Sequence, residues 1–164
     1  MRRPVTHGNF HAVQRYIGAF SGTAKAFSDE RVHHELDSVL AYAVYPNASS
    51  VTLLDPFVDG SMEFAAALLH FNNPAYPLYD AATVAGLQQI GSERIRYVST
   101  LEEDSVPEYQ KYIDAIQELK DAAPFQAVPE KNYYLTRIIQ EGLWHVGHGS
   151  PAPEAGNRPR PTLR

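Results

Sequence analysis

Between Gly60 and Asn72 lie eleven residues, Ser61-Met62-Glu63-Phe64-Ala65-Ala66-Ala67-Leu68-Leu69-His70-Phe71, of which only Ser61, Glu63 and His70 are polar. Ala, Leu and Met are strong helix formers, and Asn72-Asn73-Pro74 stops the run, because proline disfavours helix in the residue before it. A helix apolar on nearly every side must be covered by other elements. The rest of the chain therefore has to build a bundle around residues 62–71.

The expected cover is helical. Phe10, Val13, Ile17 and Phe20 recur at helical spacing up to Gly22. Ser28-Asp29-Glu30 suits a helix start, with Val32, Leu36, Val39, Leu40 and Ala43 as one apolar stripe to Pro46. Residues 49–60 are ambiguous: Val51-Thr52-Leu53-Leu54 is strand-like, but Asp55-Pro56 and Asp59-Gly60 break it into turns. Asp80 is placed to cap a helix with Val84, Leu87 and Ile90, closed by Gly91. Residues 94–100 read as a short strand or extended loop.

Pro107 fits the first turn of a helix whose inner face is Tyr112, Ile113, Ile116 and Leu119, ended by Pro124. The last helix, about 129–146, turns Tyr134, Leu135, Ile138, Ile139, Leu143 and Trp144 inward or to a rim, and Gly147 and Gly149 stop it. This helix is the expected cover for 62–71. The fold class is thus all-α, a bundle of about six helices in one domain over 1–147. Residues 148–164 hold four of the twelve prolines and read as a Pro/Arg-rich flexible tail.

At 164 residues the chain can bury a core without staples, and zero cysteines exclude disulfides, thiolate metal sites and a thiol nucleophile. No apolar h-region follows Met1-Arg2-Arg3 and no run approaches a membrane span, so a cytoplasmic protein without membrane attachment is expected. Asn47-Ala48-Ser49 then reads as a turn rather than a glycosylation site. Net charge is −5, with four cations and no anions in 1–27 but eight acids against three cations in 101–131. Whole-molecule electrostatics repel nucleic acid, so DNA binding has to rest on a local surface.

Most chemical motifs are missing. There is no Gly-x-Ser-x-Gly elbow, phosphate loop or dinucleotide fingerprint. The pairs His7/His11 and His145/His148 have metal-compatible spacing but no third ligand in view, and read as solvated helix-end histidines. Glu102-Glu103-Asp104 reads as a solvated helix start, and Arg94 and Arg96 as surface charges. No cofactor is expected.

The segment Gly60 to Gly91 carries more. Its order is hairpin glycine, Ala-rich helix ending Leu69-His70-Phe71, then Asn73-Pro74, Tyr76-Pro77 and Tyr79-Asp80, then Val84 and Leu87. Further on come Arg137, Glu141, Leu143-Trp144 and Gly147. Over roughly 60–147 this resembles the helix-hairpin-helix DNA glycosylase superfamily, in the form of a divergent 8-oxoguanine DNA glycosylase-like fold. The resemblance implies that Asp80 stands at a helix N-terminus as the carboxylate supporting base excision, with His70 as an acid–base candidate. It also implies Tyr76, Tyr79 and Trp144 as aromatics for the flipped base, and Gly60 and Ser61 as hairpin residues at the DNA backbone.

Bifunctional members of that family carry a hairpin Lys about nineteen residues before the Asp, a place that falls near Ser61, and no Lys occurs between Lys25 and Lys111. Schiff-base lyase chemistry by a hairpin Lys is therefore excluded on this alignment, while hydrolysis survives. The family's Gly-x-Gly is reduced to Gly60, which implies weak DNA anchoring. Asp80 is a good N-cap whatever else it does, and His70 suits a satisfied core histidine. Two functions stay open: monofunctional hydrolysis of a damaged or modified base, or an inactive glycosylase-fold module that binds a protein partner. The substrate base and oligomeric state are not given by the residues.

Overall fold

The computed structural model describes residues 38–43, 45–58, 60–91, 95–123 and 132–149. Among them every regular element is helical, and the only strand-like pairing is an isolated bridge between Ser61 and Thr100. The protein is all-α. The helix expected over 10–20, most of that expected over 28–46, and the tail from 150 onward lie outside the described residues. Of the second helix Ser38–Leu40 are helical, and a turn follows in which Tyr42 N donates to Val39 O (3.0 Å), so it ends before Pro46.

The ambiguous 49–60 stretch is a 3-10 helix, Ala48–Leu54, running into one α-turn, Asp55–Val58. Asn47 caps it, accepting from Ser49 N at 2.8 Å. Val51, Leu54 and Val58 fall on one side at helical spacing and are buried, which is why β-branched residues here do not make a strand. Gly60, at φ +71°, then reverses the chain.

Helix α1, Met62–Asn72, starts on Ser61, whose Oγ accepts from Phe64 N. It is buried from Phe64 through His70. At its end Asn72 and Asn73 donate to Leu40 O and Ala43 O (3.2 and 3.4 Å), tying the stop signal to the preceding turn. Helix α2, Ala81–Gln89, is short; Gly91 at φ +110° closes it, and Ile90, expected within the helix, is its exposed C-cap. Helix α3, Ser105–Ala122, turns Tyr109, Tyr112, Ile113 and Ile116 into the core.

Helix α4, Asn132–His148, departs from expectation twice. It packs chiefly on α2 rather than on α1. It also runs through Gly147 instead of stopping there. A Cβ on Gly147 would lie 1.9 Å from Ala82 O, and one on Gly86 2.2 Å from Leu143 O, so the two helices cross in backbone contact. Ile138, read as inward or at a rim, faces solvent, while Leu143 is buried. No described helix is long and apolar enough to cross a membrane.

Candidate active site

Asp80 stands in the turn leading into α2, which Gln140 ties to α4 through Leu78 O, and Glu63 in the first turn of α1 lies within reach of its charge. Asp80 is extended (φ −151°, ψ 165°) and its Oδ1 accepts from Thr83 N at 2.8 Å. Thr83 Oγ1 reaches back to Asp80 N (3.4 Å), completing a capping box. The carboxyl is half-buried. Burial pushes it above its ordinary range, while the Thr83 and Ala82 hydrogen bonds and the Arg137 charge pull it back.

Beneath Asp80 the carbonyl of Leu78 accepts from Tyr112 Oη (2.5 Å) and from Gln140 Nε2 (2.6 Å). Tyr112 Oη also lies 3.2 Å from Thr83 Oγ1. Gln140 is buried, and its Oε1 is the one buried side-chain acceptor without a hydrogen-bond partner among the described residues. Arg137, one turn earlier on α4 and half-buried, acts electrostatically on both Asp80 and His70.

A second carboxyl stands nearby. Glu63, in the first turn of α1, accepts from Tyr97 Oη at 2.5 Å. Burial raises it; the Tyr97 hydrogen bond opposes this, and the Asp80 charge raises it further. The Tyr97 ring stacks on Tyr79 (centroids 5.6 Å apart), so the residue before Asp80 and the partner of Glu63 form one aromatic block.

His70 is 4% exposed and its Nδ1 donates to Tyr76 O at 2.7 Å. Burial lowers its basicity, leaving a neutral ring that ties the end of α1 to the Pro-rich turn. Tyr76 and Tyr79, expected to stack on a base, are 0% and 3% exposed. Tyr76 Oη donates to Tyr45 O (2.5 Å), and Tyr79 Oη accepts from Val98 N (2.9 Å). Tyr109 and Tyr112 meet Tyr79 edge-on at 5.4 and 5.1 Å. Burial pushes the Tyr79 hydroxyl up to about 12. Both rings are framework, with protein on their faces. Trp144 alone of the trio is partly exposed; His148 stacks on it at 4.3 Å and His145 meets it edge-on. Those histidines join no cluster of three metal-binding side chains among the described residues.

The hairpin is closed by protein. Ser61 N donates to Val58 O, Met62 N to Ser99 O (both 3.0 Å), and Leu101 N to Gly60 O (2.7 Å). The Ser61 hydroxyl already caps α1. The Ser61 N–H and hydroxyl, expected to meet a phosphate, are thus engaged by Val58 O and Phe64 N, while Gly60 O and Met62 N hold the extended segment 95–101, and Glu63 adds an acid in the same turn. None of Glu63, Tyr97, Tyr112 and Gln140 was expected at the site, and Tyr112 was expected only on the inner face of its helix. Only Glu63 had a signal, as an acid inside the most apolar helix.

No protein-family model matches this chain, and neither does any curated protein or solved structure.

Proposed function

We propose that this chain is a divergent DNA glycosylase-like hydrolase that releases a damaged or modified base without lyase chemistry, with Asp80 as its catalytic carboxylate. The observation that carries the reading is Asp80 itself: a half-buried carboxyl held at the start of α2 by a capping box, within electrostatic reach of Arg137. Breaking an N-glycosidic bond leaves positive charge on the sugar, and a fixed carboxylate away from bulk water stabilises that charge more than a solvated one does. Trp144 supplies a partly exposed aromatic face on α4. In this reading Tyr76, Tyr79 and His70 hold the frame.

A second reading is an inactive module of the same fold that binds a protein partner. The closed hairpin and the net charge of −5 favour it. Duplexes carrying oxidised, alkylated or deaminated bases separate the two at low salt, where phosphate attraction is strongest. The hydrolase reading expects abasic sites on at least one duplex and no accompanying strand cleavage. Neither release nor binding on any duplex would leave the interaction module.

A further inference from the structure

We infer that Tyr97 and Glu63 form a one-electron redox site, where an oxidising equivalent taken up by a block of four tyrosines comes to rest as a neutral tyrosyl radical. The inference does not depend on what Asp80 does. The four rings are continuous. Tyr97 stacks on Tyr79 (centroids 5.6 Å apart), Tyr109 and Tyr112 meet Tyr79 edge-on at 5.4 and 5.1 Å, and Tyr109 stacks on Tyr112 at 6.2 Å. Tyr79, Tyr109 and Tyr112 are buried, whereas Tyr97 is partly exposed. Of the four, Tyr97 is the ring that solvent reaches.

Rings in contact exchange an electron readily, so the place where an oxidation ends is set by where a proton can go. A phenol that has lost an electron is a strong acid and sheds its hydroxyl proton to the nearest base. Tyr109 Oη donates to Pro77 O (3.0 Å), Tyr112 Oη to Leu78 O (2.5 Å) and Tyr79 Oη to Arg96 O (3.4 Å). A backbone carbonyl is too weak a base to take that proton. Thr83 Oγ1 and Gln140 Nε2, the other partners of Tyr112, are no better. Tyr97 Oη donates instead to Glu63 Oε1 at 2.5 Å, the length of an O–H···O⁻ hydrogen bond to an ionised carboxylate. Glu63 is the one base bonded to a hydroxyl of the block.

Electrons and protons balance as follows. A small one-electron oxidising radical removes an electron from a ring of the block and is itself reduced to its anion. An electron passes from Tyr97 to the oxidised ring. The Tyr97 O–H bond breaks and its proton moves along the hydrogen bond to Glu63 Oε1, leaving a neutral radical beside a neutral carboxyl. A one-electron donor of the ascorbate class then reduces the radical, and Glu63 returns the proton to Tyr97 Oη. The cluster thereby carries oxidising equivalents out of the core to a reductant in solvent.

Pulse radiolysis of the full chain with azidyl radical tests this, read by transient absorption and freeze-quenched electron paramagnetic resonance in mildly alkaline buffer, where Glu63 is ionised. One long-lived tyrosyl radical is expected, slower to form in heavy water and quenched by ascorbate. Tyr97→Phe should abolish it. Glu63→Gln should abolish it too, although every ring remains, because an amide takes no proton; this variant decides the matter if Tyr97→Phe does not fold. Tyr42→Phe and Tyr45→Phe, which alter exposed rings outside the block, should leave the signal in place, as should Trp144→Phe. The absence of a long-lived radical in the wild type overturns the proposal. So does a radical that survives Tyr97→Phe, one unchanged in Glu63→Gln, or one removed by Trp144→Phe.

Discussion

Asp80 and Glu63 differ in how much the sequence said about them. Asp80 was legible because an Asp before Ala81-Ala82-Thr83-Val84 is a helix start on its own merits, and the structure has the full capping box. Asp80→Ala should therefore lower stability by about 0.5–2 kcal/mol, and Asp80→Asn by much less, since the amide keeps the hydrogen bond to Thr83 N; urea melts check this. Glu63 stood out only as an acid inside the most apolar helix, and its hydrogen-bond partner Tyr97 lies far away in the chain. The folded-state affinity of Glu63 for a proton is raised above the ordinary value of 4.5, so the folded state binds more protons than the unfolded one between that value and the raised one. Stability from this group therefore falls as pH rises through that window. Glu63→Gln should raise the melting temperature at neutral pH, with the gain vanishing below pH about 4.5, where both states are protonated. A gain that persisted there would point to packing rather than charge.

At the scale of elements, positions 62–71, 80–91, 107–123 and 129–146 were legible to within a few residues, because apolar periodicity and caps are local. What periodicity cannot give is which helix a stripe faces. The stripe on α4 was assigned to α1, but Gly86 and Gly147 let α4 settle on α2. A glycine near a helix end suggests a stop; only the neighbouring backbone shows that Gly147 is a point of contact. Gly147→Ala should destabilise by about 1–3 kcal/mol or more, since its Cβ has nowhere to go. Gly142→Ala, with nothing within 4 Å of its Cβ, should stabilise by about 0.5–1 kcal/mol. Thermal melts of the two variants measure the contrast, and equal effects would mean that the helices do not touch at Gly147.

For the whole molecule, the all-α class followed from helical periodicity through most of the chain, whereas the site did not. Tyr76 and Tyr79 share the sequence profile of binding aromatics, but their hydroxyls find backbone partners at Tyr45 and Val98, and such partners are visible only once the chain has folded. The net charge of −5 acts at this scale too: it opposes nucleic acid as a whole, so any DNA binding rests on a few local phosphate contacts and should show a shallow salt dependence. Deleting residues 150–164 should leave the melting temperature nearly unchanged, because that stretch has few apolar atoms to offset an ordering entropy of about 1–2 kcal/mol per residue.

The central claim is that Asp80 provides charge and not merely a helix cap, and single-turnover base release by the wild type and Asp80→Asn at matched melting temperature tests it most directly. The account predicts abasic-site formation by the wild type and its loss in a fully folded Asp80→Asn, because the amide keeps the cap and drops the negative charge. Full activity in Asp80→Asn would contradict it.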